Sequence, residues 1–205
     1  MIILGLNGSP NKSGNTAELL QICLKAAEEA GARTEMLYIQ DIMEKESKPY
    51  CTACTTPCQG TCYKGTELGQ VMERLGTADG ILMASPVYFG TVSAQLKGFW
   101  DKTRRLRGEK KLLNVVGGAI SSGGARFGGQ ETTVKTIHSM MLIQGMLLVG
   151  DCYDEKAPGH YGACSQQPSK EDEYALKRAV VLGQRVAQVC RATEMLRQKM
   201  RAGNN

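Results

Sequence analysis

Histidine and the large aromatics are scarce in this chain, with two His, three Phe and one Trp among 205 residues. The histidines, His138 on an expected helix and His160 in an expected loop, read as structural or solvated groups, and no convincing carboxylate pair accompanies them. No catalytic acid or base is therefore assigned. Long apolar runs are lacking too. None approaches the roughly 20 residues that a spanning helix needs, and Met1 leads straight into Ile-Ile-Leu without the basic segment of a secretory leader. A soluble, cytoplasmic protein with no membrane partner is the expectation. Strong charge of one sign is absent: the formal net charge is +5, with Lys and Arg spread along the chain apart from 97–111 and the C-terminal helix. That mild excess reads as solvated helix faces and gives no indication of nucleic-acid binding. Internal repeats, low-complexity tracts and interdomain linkers are also missing. Residues 1–205 are expected to form a single domain, whose interior draws on 42% hydrophobic residues.

What is present is an alternation of apolar strands and amphipathic helices joined by short Gly/Ser/Pro-rich junctions. That pattern predicts a parallel sheet covered on both faces. Residues 2–7 are a near-continuous apolar run, as in a central strand. Ala17, Leu20, Leu24 and Ala27 set a helix over 15–30, with Gly31 at its C-cap. Further strands are expected over 34–39, 79–85, 112–120 and 146–150. Helices are expected over 66–75, 93–106 with Ser93 as N-cap, 130–145 and 170–200. Residues 151–169 read as a loop over the ligand or against another subunit. Residues 41–65 follow neither period and hold Pro49, Pro57 and four cysteines, so something should organise them. Five strands with interleaved helices suit either a Rossmann half or the flavodoxin arrangement. In such sheets ligands sit beyond the strand carboxyl ends, where the strand order reverses. The junctions after the first, third and fourth strands are the expected functional positions.

The first of these junctions is Gly8-Ser9-Pro10-Asn11-Lys12-Ser13-Gly14-Asn15-Thr16, running straight into a helix. A helix start presents unpaired amides and the positive end of a dipole, which favours an anion. Hydroxyls of Ser9, Ser13 and Thr16, the Asn15 amide and the Lys12 ammonium can add donors, while Gly8 and Gly14 allow a tight turn. The loop is neither a Walker A sequence nor a Gly-x-Gly-x-x-Gly fingerprint. Dense hydroxyls with little positive charge suit a single phosphate better than a di- or triphosphate.

Residues Ser9–Thr16 resemble the phosphate loop of the NADPH-dependent FMN reductase and iron–sulfur flavoprotein family. Ser85-Pro86-Val87-Tyr88-Phe89-Gly90-Thr91-Val92-Ser93-Ala94-Gln95-Leu96-Lys97 and Ser121-Ser122-Gly123-Gly124-Ala125-Arg126-Phe127-Gly128-Gly129-Gln130-Glu131 are similar to its loops after strands three and four. The likeness runs through about Asp151. It implies an α/β, flavodoxin-like, doubly wound five-stranded parallel sheet in the order 2-1-3-4-5, with a cysteine-rich loop inserted at 47–65 and a C-terminal helix at 170–201. It also implies FMN held by Ser9, Lys12, Ser13, Asn15 and Thr16 at the phosphate, and by Pro86, Val87, Tyr88, Phe89, Gly90, Ser122, Gly123, Gly124 and Gly128 at the ring. The chemistry of those residues agrees. Tyr88 and Phe89 offer flat surface on a stiff segment, and the glycines let main chain approach a ring. Phe127 stands where related quinone reductases often carry His, which argues against quinone reduction by proton relay.

Cys51, Cys54, Cys58 and Cys62 place four thiols within twelve residues. In a reducing compartment such a cluster suggests metal or redox chemistry rather than disulfides. The short spacings, with Pro57 beside Cys58, suit a [4Fe–4S] cluster; zinc, or thiols without a metal, remain alternatives. The run also resembles the compact cysteine motif of iron–sulfur flavoproteins. Cys23 and Cys190 fall on helices as small core residues, and Cys152 and Cys164 flank the 151–169 loop.

The expectation is an FMN- and [4Fe–4S]-containing electron-transfer oxidoreductase. By the resemblance, its partner is ferredoxin or another small redox carrier, and the chain forms a homodimer or homotetramer. The Lys97–Lys111 group could dock an acidic carrier, but helix C-terminal cations plus a solvated turn are the favoured reading. The rivals are an NAD(P)H-dependent FMN or quinone reductase with structural cysteines, a dehydrogenase acting on a small metabolite with the same two cofactors, and a zinc-stabilised, non-catalytic interaction module.

Overall fold

A strand with neighbours on both edges and helices on both faces must be apolar throughout, and β1 (Ile2–Asn7) is buried from Ile3 onward. The computed structural model describes residues 1–151 and 159–202. β2 (Arg33–Tyr38) lies on one side of β1 and β3 (Gly80–Pro86) on the other, followed by β4 (Val116–Gly123) and β5 (Leu147–Leu148). The order is β2-β1-β3-β4-β5 and every ladder is parallel, as the sequence predicts. The reversal lies between β1 and β3, so the three chosen junctions share one end of the sheet.

One strand was not legible. Residues 163–166, expected as loop, form β6 (Ala163–Gln166), which pairs with Ile120–Gly123 of β4 just beyond the Val116 and Gly117 that β5 occupies. The lane beside β4 is laid in two segments. Ala-Cys-Ser-Gln holds no β-branched or aromatic residue, so its strand character comes from the ladder to β4 and not from propensity. Cys152 and the rest of 152–158 lie outside the described residues.

The helices are α1 (Asn15–Glu29), α2 (Ile39–Glu44), α3 (Glu67–Thr77), α4 (Ala94–Asp101), α5 (Arg104–Gly108), α6 (Gln130–Leu142), α7 (Glu173–Ala192) and α8 (Glu194–Ala202). Two expected helices are divided. The 93–106 helix breaks at Lys102 and Thr103, where the Thr103 hydroxyl donates to the Trp100 carbonyl at 2.6 Å and accepts from Gln144 Nε2 at 2.6 Å. The C-terminal helix breaks at Thr193, whose hydroxyl accepts from Arg197 at 2.7 Å while that guanidinium also reaches Asp79 at 3.2 Å. The strand expected over 112–120 starts only at Val116, because Asn114 takes a left-handed φ of 63°. Within 41–65 the regular segments are the end of α2 and a single 3-10 turn at Thr61–Tyr63.

Leu19, Leu20, Leu24, Ala179, Leu182 and Val186 of α1 and α7 bury one face of the sheet, and α2, α3, α4 and α6 cover the other. Among the described residues no helix is long and apolar enough to cross a membrane. The α1–α7 seam is tight: a Cβ at Gly183 would stand 2.0 Å from the Cys23 carbonyl oxygen. The Cys23 thiol donates across the same seam to the Ala179 carbonyl at 3.0 Å, and burial holds that thiol protonated. Gly183→Ala must therefore push the two helix backbones apart, and we expect a loss of about 2 kcal/mol by overpacking, read as a lower urea midpoint with an unchanged slope.

Candidate functional site

The loop after β1 is shaped by its own short polar side chains. Ser9 N–H donates to Asn7 Oδ1 at 3.0 Å, Asn11 N–H to Ser9 Oγ at 3.1 Å, and Ser13 N–H to Asn11 Oδ1 at 3.1 Å. Its base is fixed from the next strand along. Gly8 N–H donates to the Ala84 carbonyl at 2.8 Å, and Ser93 Oγ, which caps α4 by accepting from Leu96 N–H, donates to the Gly8 carbonyl at 2.6 Å. Gly14 stands at the N-cap of α1 and supplies no side chain, so among the described residues no side chain caps the amides of the first turn. Those donors and the dipole end are what an anion needs.

The predicted phosphate residues are only partly gathered there. Thr16 Oγ1 and Ser122 Oγ, both buried, hydrogen-bond each other at 2.5 Å and so tie α1 to the end of β4. Asn15 Oδ1 accepts from Ser169 N–H at 2.7 Å, leaving its NH2 group as donor. Lys12 points away: its ammonium pairs with Asp41 at 2.5 Å, a contact that raises its pKa, and lies 5.9 Å from the Tyr38 ring centre. Donors at the helix start are thus mostly neutral.

The loops after β3 and β4 meet each other. Val87 N–H donates to the Ser122 carbonyl at 2.9 Å. A Cβ at Gly129 (φ 102°) would stand 3.1 Å from Gly90 Cα. Tyr88 and Thr91 exchange backbone hydrogen bonds across a tight turn in which Phe89 and Gly90 take positive φ of 49° and 78°. That geometry directs Phe89 wholly out to solvent and leaves Tyr88 exposed, so neither aromatic belongs to the core. Gln130, buried at the start of α6, organises the glycine loop by donating to the Ala125 and Ser165 carbonyls at 2.6 and 3.2 Å and accepting from Gly128 N–H at 2.9 Å. Beside it opens a cleft of about 730 Å³ lined by Arg126, Phe127, Gln130, Cys164 and Tyr174. Asn7 Nδ2 and Ser121 Oγ, at the carboxyl ends of β1 and β4, are buried without a hydrogen-bond partner among the described residues. Orphaned polar atoms at the floor of three converging loops fit a polar ligand edge above them.

Sequence reasoning missed Asn7, Ser93 and Gln130 as site builders. A polar residue ending an apolar strand was the available sign for Asn7. Both histidines stay outside the loops: His160 hydrogen-bonds Asp151 at 3.1 Å and Tyr174 at 3.3 Å, and burial lowers the pKa of His138.

The cysteine loop is seated on α4. A Cβ at Gly98 would lie 2.3 Å from the Pro49 carbonyl oxygen, so only glycine admits this approach. Lys102 and Glu46 form an ion pair at 3.5 Å with side chains 2% and 5% exposed. Cys51, Cys54, Cys58 and Cys62 are free thiols, the first and third half-buried and the others exposed. Ala53 N–H donates to Cys51 Sγ at 3.4 Å. Burial pushes the Cys62 thiol above the usual range, with the Lys102 ammonium opposing that rise. Burial, reinforced by Cys58, pushes the Tyr63 hydroxyl up to about 12. Among the described residues, no three Cys, His or acidic side chains are drawn together closely enough to hold a metal ion. The donor set itself suits one: four free thiols on one loop, one of them already receiving a backbone N–H.

A doubly wound parallel sheet, with a glycine-started helix and two further loops meeting at its switch point, defines a flavodoxin-like fold. The model of the NADPH-dependent FMN reductase family matches residues 1–154, and the chain belongs to that family. It is 40% identical over 195 residues to an iron-sulfur flavoprotein of Methanocaldococcus jannaschii, covering 92% of this chain and 97% of the relative. To an iron-sulfur flavoprotein of Methanosarcina thermophila it is 34% identical over 200 residues, covering 97% and 100%. The solved flavodoxin, WrbA-like protein of Agrobacterium tumefaciens superposes with a TM-score of 0.65 at 21% identity, over 93% of this chain and 97% of that one. The chain is an FMN-dependent oxidoreductase.

Removing one partner of the buried pair under the cysteine loop leaves an uncompensated charge. Lys102→Met is expected to lower stability by about 3 kcal/mol. Adding Glu46→Leu should recover most of that loss in urea unfolding, whereas an unchanged midpoint in the single variant would show that the pair is not buried.

Proposed function

We propose that this chain carries FMN on its three loops and a [4Fe–4S] cluster on Cys51, Cys54, Cys58 and Cys62, and passes electrons between the flavin and a one-electron carrier such as ferredoxin. FMN, when bound, takes up an electron pair and releases it singly, and the cluster handles one electron at a time. The observation that carries the reading is the uncapped start of α1, whose free amides lie beside two loops with exposed aromatic surface.

The role of the chain is to bind and orient. The first-turn amides of α1, with Ser9, Ser13 and the Asn15 NH2 group, hold the phosphate. Pro86–Gly90 and the 122–128 glycine segment hold the ring, Tyr88 and Phe89 supplying flat surface and the glycine main chain supplying donors. Lys12 is left out of the phosphate set, because Asp41 holds its ammonium. The four thiols bind the cluster, and the Lys102 ammonium offsets some of their negative charge. No side chain needs to transfer a proton, which agrees with the placement of both histidines away from the loops. A cytoplasmic location is part of this reading, because free thiols persist in a reducing compartment. Assembly as a homodimer or homotetramer would set the cysteine loop near a neighbouring flavin.

A second reading is favoured by one observation, the ungathered thiols: an NAD(P)H-dependent FMN or quinone reductase whose cysteines hold no iron. Anaerobic analysis separates the two. The proposal expects about one flavin, four irons and four sulfides per chain, with slow bleaching on mixing with NADPH. Flavin without iron, bleached rapidly by NADPH, would select the reductase. Cys54→Ala should lose iron and keep FMN, because the two sites draw on different loops; equal loss of flavin would contradict that separation.

A further inference from the structure

Tyr63 is the one aromatic on the cysteine loop that the core has taken in. It follows Cys62 directly, is 3% exposed, and packs in the apolar cluster with Leu68, Val71 and Leu106. Its ring could be replaced in that role by phenylalanine. Its hydroxyl could not: the oxygen is buried and makes no hydrogen bond among the described residues. A buried phenol almost always finds a partner, and leaving one unpaired costs about 1–3 kcal/mol. A tyrosine kept at such a position points to a partner that comes with a ligand.

The surroundings indicate which ligand. Tyr63 lines the same cleft, of about 860 Å³, as Cys58, Gly60 and Arg105. Gly60 takes a left-handed φ of 67°, and a Cβ there would stand 2.9 Å from the Tyr63 hydroxyl oxygen and 2.9 Å from Arg105 Cδ. The loop is therefore bare of side chain where it crosses the hydroxyl, between Cys58 and Cys62. At the other end of the cysteine run, Ala53 N–H already donates to Cys51 Sγ.

We infer that the Tyr63 hydroxyl donates a hydrogen bond to sulfur on the Cys58 side of the iron–sulfur centre and so raises its reduction potential. The inference rests on the cluster reading given above. Its physical basis is that reduction adds one electron, and so one negative charge, to the sulfurs and irons. A fixed O–H dipole aimed at sulfur stabilises that added charge more than it stabilises the oxidised form. No bond breaks and the hydroxyl keeps its proton. Tyr63 is thus a tuning residue that acts through the cysteine-held centre.

An anaerobic redox titration of the reconstituted protein, followed by the paramagnetic signal of the reduced cluster, tests this. The FMN absorbance in the same sample serves as internal reference. Tyr63→Phe is expected to shift the one-electron equilibrium about tenfold toward the oxidised form, about 59 mV more negative, with iron content and flavin potential unchanged. An unchanged cluster potential in an iron-replete variant would overturn the inference and leave the cluster reading standing. Wild-type protein that takes up no iron or sulfide would overturn both. Should Tyr63→Phe fail to retain iron, 3,5-difluorotyrosine at position 63 decides the matter: its more acidic hydroxyl is a stronger donor, so a positive shift is expected, and no shift or a negative one would overturn the inference.

Discussion

Helix α1 begins at Gly14 with backbone amides that no side chain among the described residues caps. Ser93 on α4, Thr66 on α3 and Asp172 on α7 each accept from a first-turn amide, whereas α1 and α6 begin at glycines that supply no side chain. The open start of α1 lies at the strand-order reversal, and the surrounding elements are arranged about it. Ser93 and Ala84 clamp Gly8 below the turn, Thr16 and Ser122 join the helix to β4, and Gly90 meets Gly129 where the two further loops touch. These are short contacts between backbone and small side chains. They hold three loops in fixed relation while leaving amides and aromatic faces free, which is the preorganisation that a tightly held cofactor requires.

Helix α4 links the two candidate centres. At its N-terminal end Ser93 both caps the helix and holds the phosphate turn. Near its C-terminal end Gly98 admits Pro49 and Lys102 meets Glu46, which seats the cysteine loop. At 1.5 Å of rise per residue, Ser93 and Lys102 are about 13 Å apart along the axis. A single rigid element thus links the turn after β1 to the seat of the cysteine loop within one chain. The division of the expected 93–106 helix belongs to the same design, because the break places Lys102 in the buried pair and Thr103 between Trp100 and Gln144.

Much of this was legible in the sequence, for reasons that differ by element. The apolar run at 2–7 and the spaced Ala17, Leu20, Leu24 and Ala27 gave β1 and α1 because burial on a sheet imposes those periods. β6 was not legible, since Ala-Cys-Ser-Gln becomes a strand only through its pairing with β4. Lys12 illustrates another limit: an ammonium in a phosphate-like loop reads as a phosphate ligand, but its long stem lets Asp41 of α2 claim it, and no local pattern reveals a partner 29 residues away. The sequence favours Phe89 as a loop aromatic over a core one; the positive φ of its turn, which sequence does not show, is what puts it in solvent. The four cysteines announced their chemistry by spacing, yet the seat beneath them depends on Gly98 and Glu46, which carry no motif.

The grip of the α1 turn on one phosphate group is the claim on which the rest stands, and the flavin-free protein tests it directly. Its affinity for FMN should exceed that for riboflavin, which has the same ring and no phosphate, by at least about a hundredfold, or ~2.8 kcal/mol. Equal affinities for the two would contradict it.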